Sequence, residues 1–421
     1  MGSSEIMNKR RVVITGTGVV SALGHSRAEL FRLLLAGKSA ARFMPEWESF
    51  FGSTKIVAAP VTLDPDVAKK IDRKFRRSMG NAALFAAIAA IDAVDESGLD
   101  PEIFSDGRTG CIVSSTMGSS SSIVESTAAI IEKRFDDLSA CQFFRCVSHS
   151  SSFNVANLLG ISGVQLAPCS ACASALQSIG LAFELIQIGK QDIIIAGGSD
   201  ETTPTVTGSF QQLFALAEAE GIAPEKLSRP FDAARCGLVC GEGAGILVLE
   251  EYEHAIKRGA LILAEITGYA TNCTGAQISQ SDSGSIESCI RLALDDAGIA
   301  PTEVDYVSAH ATSTIAGDKA EAEAIRAVLG STVPVSSMKG HLGHTLGASG
   351  AIELVAIIEM MKHKMIIPTL NLENPSESCK ELNLPITTIK SELRTVVKNC
   401  IAFGGVNAVL VLQSSKELES I

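Results

Sequence analysis

The sequence lacks a surplus of positive charge. Its 35 Lys and Arg are outnumbered by 47 Asp and Glu, giving a formal charge of −12. That argues against a general nucleic-acid binder, which carries a basic surplus. It also lacks a run able to cross a bilayer. The longest apolar stretch, Ala82–Ile91, is about half of the ~20 residues a span needs and reads as a buried core helix. Lys9-Arg10-Arg11 followed by Val12–Gly24 imitates a secretory signal. Thr15, Gly16, Thr17 and Gly18 interrupt the apolar stretch, however, and a strand entering a Gly-rich turn explains it better. Met1–Ile6 reads as a leader ahead of Met7. Short repeats, low-complexity tracts and a Pro-rich linker are missing too, so the chain reads as one packed body. At 46% hydrophobic and 19% charged, with a mean hydropathy of +0.26, it is not a disordered chain. One Trp against 36 Gly suggests an α/β enzyme rich in tight turns.

A cysteine framework is missing as well. The 11 Cys are odd in number and irregularly scattered, which reads as reduced thiols in a cytoplasmic protein. Cys169 and Cys172 have CxxC spacing and Cys236 and Cys240 CxxxC spacing, but a zinc site usually needs two half-sites with clear turn chemistry. The reading therefore takes no metal.

Strand-like and helix-like segments alternate, which points to α/β layering. Strands are expected at Arg11–Val20, Gly110–Ser115, Gln191–Gly197, Ile246–Glu250, Val304–Ala309 and Asn407–Leu412. Helices are expected at Asn81–Val94, Ile286–Ala297, Lys319–Leu329 and Ala348–Met361. An internal echo links Asp95-Glu96-Ser97-Gly98-Leu99-Asp100-Pro101-Glu102 to Asp295-Asp296-Ala297-Gly298-Ile299-Ala300-Pro301-Thr302, offset by 200 residues. A helix precedes each copy and a short strand follows, as duplication of a half-length unit predicts.

Three places could carry chemistry. Cys172 opens the apolar segment Cys172–Ile188 among small residues. A helix N-terminus lowers a thiol pKa and favours the thiolate nucleophile; the alternative is a buried structural Cys. His310, at a strand end, and His344, in the Gly-rich turn Lys339–Gly350, are two of only seven His. Each is placed to reach a cleft, or else is a satisfied core His. In the loop Asn399–Asn407, Gly404-Gly405 permits close backbone approach to a ligand, and N–H groups there could hold an oxyanion.

Taken in order, the motifs carry a family resemblance. They are RRVVITGTGVVSALG near the start, SACAS around Cys172, AGGSDE at Ala196–Glu201 and SRPFDAARCGLVCGEGAGILVLE at Ser228–Glu250. AHATSTIAGDKAEAEA at Ala309–Ala324, KGHLGHTLGASGAIE at Lys339–Glu353 and FGGVN at Phe403–Asn407 follow. Together they resemble the elongating β-ketoacyl-[acyl carrier protein] synthases of the thiolase-like superfamily, from about Arg10 to Leu412. The resemblance implies a five-layer αβαβα fold of two duplicated halves, 10–258 with the nucleophile and 259–415 with the two histidines. It implies that Cys172 accepts the acyl chain and that His310 and His344 assist decarboxylation of a malonyl donor. Lys339, Asp318 and Glu321 would support them, with Lys339 and Glu321 as an ordering ion pair. The N–H groups of Cys172 and Phe403 would form the oxyanion hole. Thr312 and Thr314 would bind the phosphopantetheine arm, and Ile401, Ala402 and Phe403 would line the acyl entrance.

The chain departs from the fatty-acid enzymes, which usually have Phe-Gly at the Ile401-Ala402 positions. Ala311 replaces a common Gly, and Thr271–Gly284 lacks the familiar gating-loop pattern. These departures raise a specialised polyketide or polyene synthase as the alternative, including one that works beside a chain-length-factor-like subunit. A non-catalytic companion subunit is disfavoured by the presence of Cys172. The resemblance implies no resident cofactor, since the phosphopantetheine arm arrives on the carrier protein, and it admits a monovalent cation near Glu353. Carrier proteins are acidic, so a local basic patch is required. Lys69, Lys70, Arg73, Lys74, Arg76 and Arg77 are the candidates, the alternative being a solvated basic stretch. The expected partners are an acyl carrier protein and a second subunit in a two-fold dimer, either identical or chain-length-factor-like. Neither nucleic acid nor membrane is expected.

Overall fold

The computed structural model describes residues 9–53, 55–218, 221–275, 278 and 280–415. The leader expected at Met1–Ile6 lies outside them, as do Ala276, Gln277 and Ser279 of the atypical 271–284 segment. The first half of the chain supplies five strands of the ten-stranded main sheet: β1 (Val12–Ser21), β2 (Thr109–Ser114), β3 (Gln165–Leu166), β4 (Ile193–Asp200) and β5 (Gly243–Glu251). Its main helices are α1 (Asn81–Ser97), α2 (Ser150–Leu159), α3 (Ser174–Gln187) and α4 (Pro204–Gln212). The second half supplies β6 (Ala264–Cys273), β7 (Tyr306–Ser308), β8 (Val335–Ser336), β9 (Thr395–Ala402) and β10 (Val406–Gln413). Its helices are α5 (Ser283–Ala297), α6 (Ile315–Leu329) and α7 (Ser349–His363).

The strands run in the order β8-β7-β9-β10-β6-β1-β5-β4-β2-β3. Read outward from the centre, each half repeats one pattern. β1 pairs antiparallel with β5 and β5 with β4, then β4-β2 and β2-β3 are parallel. β6 does the same with β10, β9, β7 and β8. The two half-sheets are paired through three residue pairs, Val12–Ile266, Val13–Glu265 and Ile14–Ala264. Helices α3 and α7 are the shared middle layer, and their apolar faces join inner residues of both half-sheets in one core. α1 and α2 cover the outside of one half-sheet and α5 and α6 the outside of the other. This is the five-layer αβαβα fold of two duplicated halves.

The sequence echo has a physical basis. α1 and α5 both end on a left-handed glycine, Gly98 (φ 64°) and Gly298 (φ 68°). Each is followed by a short 3-10 turn starting at a proline, Pro101 or Pro301, and then by a strand. Proline cannot continue a helix, and glycine accepts the left-handed cap without a Cβ penalty. The expected elements are all present. α6 starts earlier than expected, at Ile315, and β4 runs on to Asp200. No helix among the described residues is long and apolar enough to cross a membrane.

Candidate active site

Three loops converge between the half-sheets. The first leads into α3. Ala171 is forced to a positive φ of 45° by a short 3-10 turn, Ala171–Ala173, that precedes the helix. Its carbonyl accepts from Ser174 Oγ (2.6 Å) and Thr116 Oγ1 (3.2 Å), which holds the strained turn. Cys172 therefore sits on a 3-10 elbow, and the α-helix begins at Ser174 rather than at Cys172 as expected.

The second loop follows β7 and brings in His310. Its backbone N–H donates to Glu321 Oε1 and that of Ala311 to Glu321 Oε2, both at 2.7 Å. The third loop leads into α7 and carries His344. There His344 Nε2 lies 2.9 Å from Cys172 Sγ, and Nδ1 lies 3.1 Å from Ser349 Oγ. The imidazoles of His310 and His344 meet edge to face, with centroids 5.2 Å apart. One ligand-type atom from each of Cys172, His310 and His344 falls within 4.8 Å of the others. They lie at the base of a cavity of about 50 Å³ that is also lined by Phe210, Thr312, Thr314, Glu321, Ile401, Ala402 and Phe403. Thr312 and Thr314 share a hydroxyl hydrogen bond of 3.1 Å. The Phe403 ring packs on Phe210 of α4 at 6.1 Å. A larger groove of about 1070 Å³ holds none of the three catalytic candidates and borders α4 at Pro204, Gly208 and Gln211.

The electrostatics correct one expectation. Burial pushes the Cys172 thiol up to about 12, against the pull of the Lys339 charge. A helix N-terminus is worth about 0.3–1 kcal/mol to a charge, less than the cost of stripping water from a thiolate. The resting group is a thiol hydrogen-bonded to His344, not the free thiolate expected from its place before a helix. Burial, reinforced by the charge of Lys339, holds both His310 and His344 well below the usual imidazole range, so both are neutral at pH 7.

Family models match the chain over residues 9–255 (beta-ketoacyl synthase, N-terminal domain) and 263–373 (beta-ketoacyl synthase, C-terminal domain). The chain belongs to the beta-ketoacyl synthase family. The 3-oxoacyl-[acyl-carrier-protein] synthase 1 of Escherichia coli K12 is 36% identical, over 97% of this chain and 100% of the relative. Among solved structures, a beta-ketoacyl synthase from Burkholderia phymatum superposes with a TM-score of 0.91 at 38% identity, covering 97% of this chain and 100% of that one. The ishigamide ketosynthase/chain length factor superposes at 0.90 with 33% identity, again over 97% and 100%. The chain is thus an acyltransferase of the ketosynthase class.

Around these three residues, one expected supporting contact is rearranged. Lys339 does not pair with Glu321. Its Nζ bonds Glu353 Oε1 at 2.7 Å, while Glu321 spends both oxygens on the backbone around His310 and on Asn399 Nδ2 (3.1 Å). Asp318 stands behind the cavity. It accepts from Phe231 N (2.8 Å) and Ser313 N (3.1 Å) beside Arg235, and so holds Ser313 at φ 74°. Burial raises its carboxyl to about 7. Sequence reasoning missed Lys398, a second buried ammonium on Glu353; a lone Lys inside the apolar strand β9 was the available signal. It also missed Asp200, which accepts from Ser115 Oγ (2.6 Å), Thr116 N and Gly347 N (2.7 Å) and ties the elbows of α3 and α7 together.

The expected basic patch is exposed except for the half-buried Arg76, and lies on and beside two short helices, Pro65–Lys69 and Arg73–Arg76, with Arg77 following. Lys69 pairs with Asp66 at 2.7 Å. Arg73, Arg76 and Arg77 line a surface hollow with Arg145, which the sequence reading did not include and whose Nε donates to Arg77 O at 3.0 Å.

Proposed function

We propose that the chain condenses an acyl group held on Cys172 with a malonyl group on an acyl carrier protein, extending the chain by two carbons. The observation that carries this is the 2.9 Å contact between Cys172 Sγ and His344 Nε2 beside a neutral His310. In the first half-reaction the thiol proton passes to His344 Nε2 as sulfur attacks the acyl thioester, and the proton leaves on the pantetheine thiol. The two lone-pair and donor roles of Ser349 Oγ at Nδ1 let the ring take either tautomer. In the second, the malonyl carboxylate departs as CO2 and its electron pair forms an enolate. N–H groups of His310 and His344 stabilise the enolate oxygen. The enolate carbon then attacks the acyl carbonyl, expelling the Cys172 thiolate, which solvent reprotonates. The N–H groups of Cys172 and Phe403 hold the tetrahedral oxyanion, and Thr312 and Thr314 bind the phosphopantetheine arm.

The carrier protein docks by its acidic surface on Arg73, Arg76, Arg77 and Arg145, with Lys69, Lys70 and Lys74 around them. The synthase is a dimer. The open edge of β3, with exposed Leu166, and exposed Ile131, Phe135 and Phe143 supply an apolar face that a second subunit covers. The eleven free thiols suit a reducing cytoplasm. A second reading, a polyketide or polyene ketosynthase paired with a chain-length-factor-like subunit, is favoured by Ile401-Ala402 at the entrance and by the likeness to the ishigamide ketosynthase/chain length factor.

Intact-protein mass spectrometry after incubation with saturated and polyunsaturated acyl carrier proteins tests both. An acyl adduct that disappears in Cys172→Ala supports the nucleophile, and the preferred chain names the pathway. An adduct persisting in Cys172→Ala removes it. Adducts that form only when a partner subunit is added favour the second reading.

A further inference from the structure

An ammonium buried without water needs oxygen partners on every side to repay its lost hydration. Lys398 is fully buried and finds three. Its Nζ pairs with Glu353 Oε2 and bonds the carbonyls of Asn399 (2.8 Å) and Ser308 (3.4 Å). Glu353 is shared, because its other oxygen holds Lys339. A carboxylate and two carbonyls form the kind of hard-oxygen donor set that binds a small cation. Here a tethered ammonium fills it, so the residues do not fit a bound monovalent cation beside Glu353.

The place matters because three functional segments meet there. Ser308 lies two residues before His310, Asn399 two residues before Ile401, and Glu353 on α7 follows His344. Asn399 also reaches Glu321, the carboxylate that holds the His310 backbone. We infer that Lys398 is a positioning residue that acts as a built-in cation, fixing the His310 strand end and the Ile401–Phe403 loop so that this synthase needs no alkali ion.

The inference rests on the condensing function only for its rate readout; melting temperature tests it independently. Wild-type protein exhaustively exchanged into choline chloride is compared with protein in potassium chloride, each at about 0.1 M ionic strength. Wild-type melting temperature and malonyl decarboxylation rate should agree in the two salts. Lys398→Ser opens the donor set. In choline it should melt several degrees lower than in potassium, and its decarboxylation should fall about 10- to 100-fold, as expected for misplaced catalytic groups. Potassium or ammonium should restore both. A wild type that needs potassium overturns the inference, and so does a Lys398→Ser loss that no monovalent cation restores. If the variant folds in potassium but not in choline, the substitution of one cation for the other is supported; if it folds in neither, the idea fails. Loss of decarboxylation by wild type in both salts, with melting behaviour as expected, would count against the condensing function and not against Lys398.

Discussion

The elbows that open α3 and α7 share a backbone and differ in what they carry. Each begins with a non-glycine residue at positive φ, Ala171 (45°) or Leu346 (53°), continues through a 3-10 turn, Ala171–Ala173 or Leu346–Ala348, and enters a helix at a serine, Ser174 or Ser349. Cys172 occupies the second position of the first elbow. Gly347 occupies it in the second, where Asp200 takes its N–H at 2.7 Å. A Cβ on Gly347 would stand 2.6 Å from Asp200 Oδ2 and 2.9 Å from Thr116 N. A carboxylate of the first half thus fills, in the second, the place where the first elbow carries Cys172. The serines diverge likewise: Ser174 Oγ closes its own turn, while Ser349 Oγ holds the His344 ring. The duplicated scaffold is retained and the chemistry lies in its ends, as expected when sites are grafted onto folds.

The sharpest way to separate the halves is to remove the group each contributes. His310→Ala should leave acylation of Cys172 measurable by mass spectrometry while malonyl decarboxylation falls about 10²–10³-fold, the usual cost of one oxyanion-type donor. Cys172→Ala should show the reverse pattern. Equal loss of both half-reactions in His310→Ala would mean that the division of labour between the halves is wrong.

Gly347→Ala breaks the comparison at the elbow. The new methyl would press on Asp200 and on both the hydroxyl and the backbone of Thr116, so a loss of about 1–3 kcal/mol is expected from overpacking. The displaced Asp200 would release the α3 elbow as well, and acylation of Cys172 should slow although residue 347 is not part of the nucleophile. Denaturant unfolding and the acylation rate check the two effects separately.

Both lysines that act on the imidazoles belong to the second half. Lys339 and Lys398 both depress His310 and His344, second to burial. In Lys339→Met one positive neighbour is gone, both imidazoles protonate more readily, and the acid limb of malonyl decarboxylation should move to higher pH. The same change removes the charge that counters burial at Cys172, so the thiol should ionise less readily. An unmoved acid limb in the pH–rate profile would show that the lysines only order the loop.

Much of this was legible in the sequence, for identifiable reasons. Gly98 and Gly298 mark helix ends through backbone chemistry that needs no tertiary context, so the duplication could be read from eight positions. Cys172, His310 and His344 stand at strand ends and helix entrances, where motif order points to them. What failed depended on partners distant in sequence. The resemblance pairs Glu321 with Lys339, but Glu321 lies nearly two α6 turns and a loop from His310 and folds back onto that backbone. Lys339 found Glu353 because α7 packs between the half-sheets, which no local pattern records. Cys172 was expected as a thiolate because a helix dipole can be read from sequence and the depth of burial cannot. Arg145 is 68 residues from Arg77, so its place in the basic hollow is purely tertiary.

The smallest expected effect is a difference near zero. Gly16 of β1 and Gly268 of β6 occupy matching places beneath α1 and α5. A Cβ on Gly16 would overlap the Ala93 carbonyl oxygen and lie 2.9 Å from Ser97 Cβ; one on Gly268 would overlap the Ala293 carbonyl oxygen and lie 2.7 Å from Ala297 Cβ. The 200-residue offset of the echo maps Ala93 and Ser97 onto Ala293 and Ala297, so the close helix–strand approach is a feature of the unit that was duplicated. Gly16→Ala and Gly268→Ala should each destabilise by about 1–3 kcal/mol, by nearly equal amounts. Because the two new methyls would press on separate outer helices, α1 and α5, the double variant should show the sum of the two losses. A large loss at one position and none at the other would mean that the halves have drifted apart in their packing and share only the order of their strands.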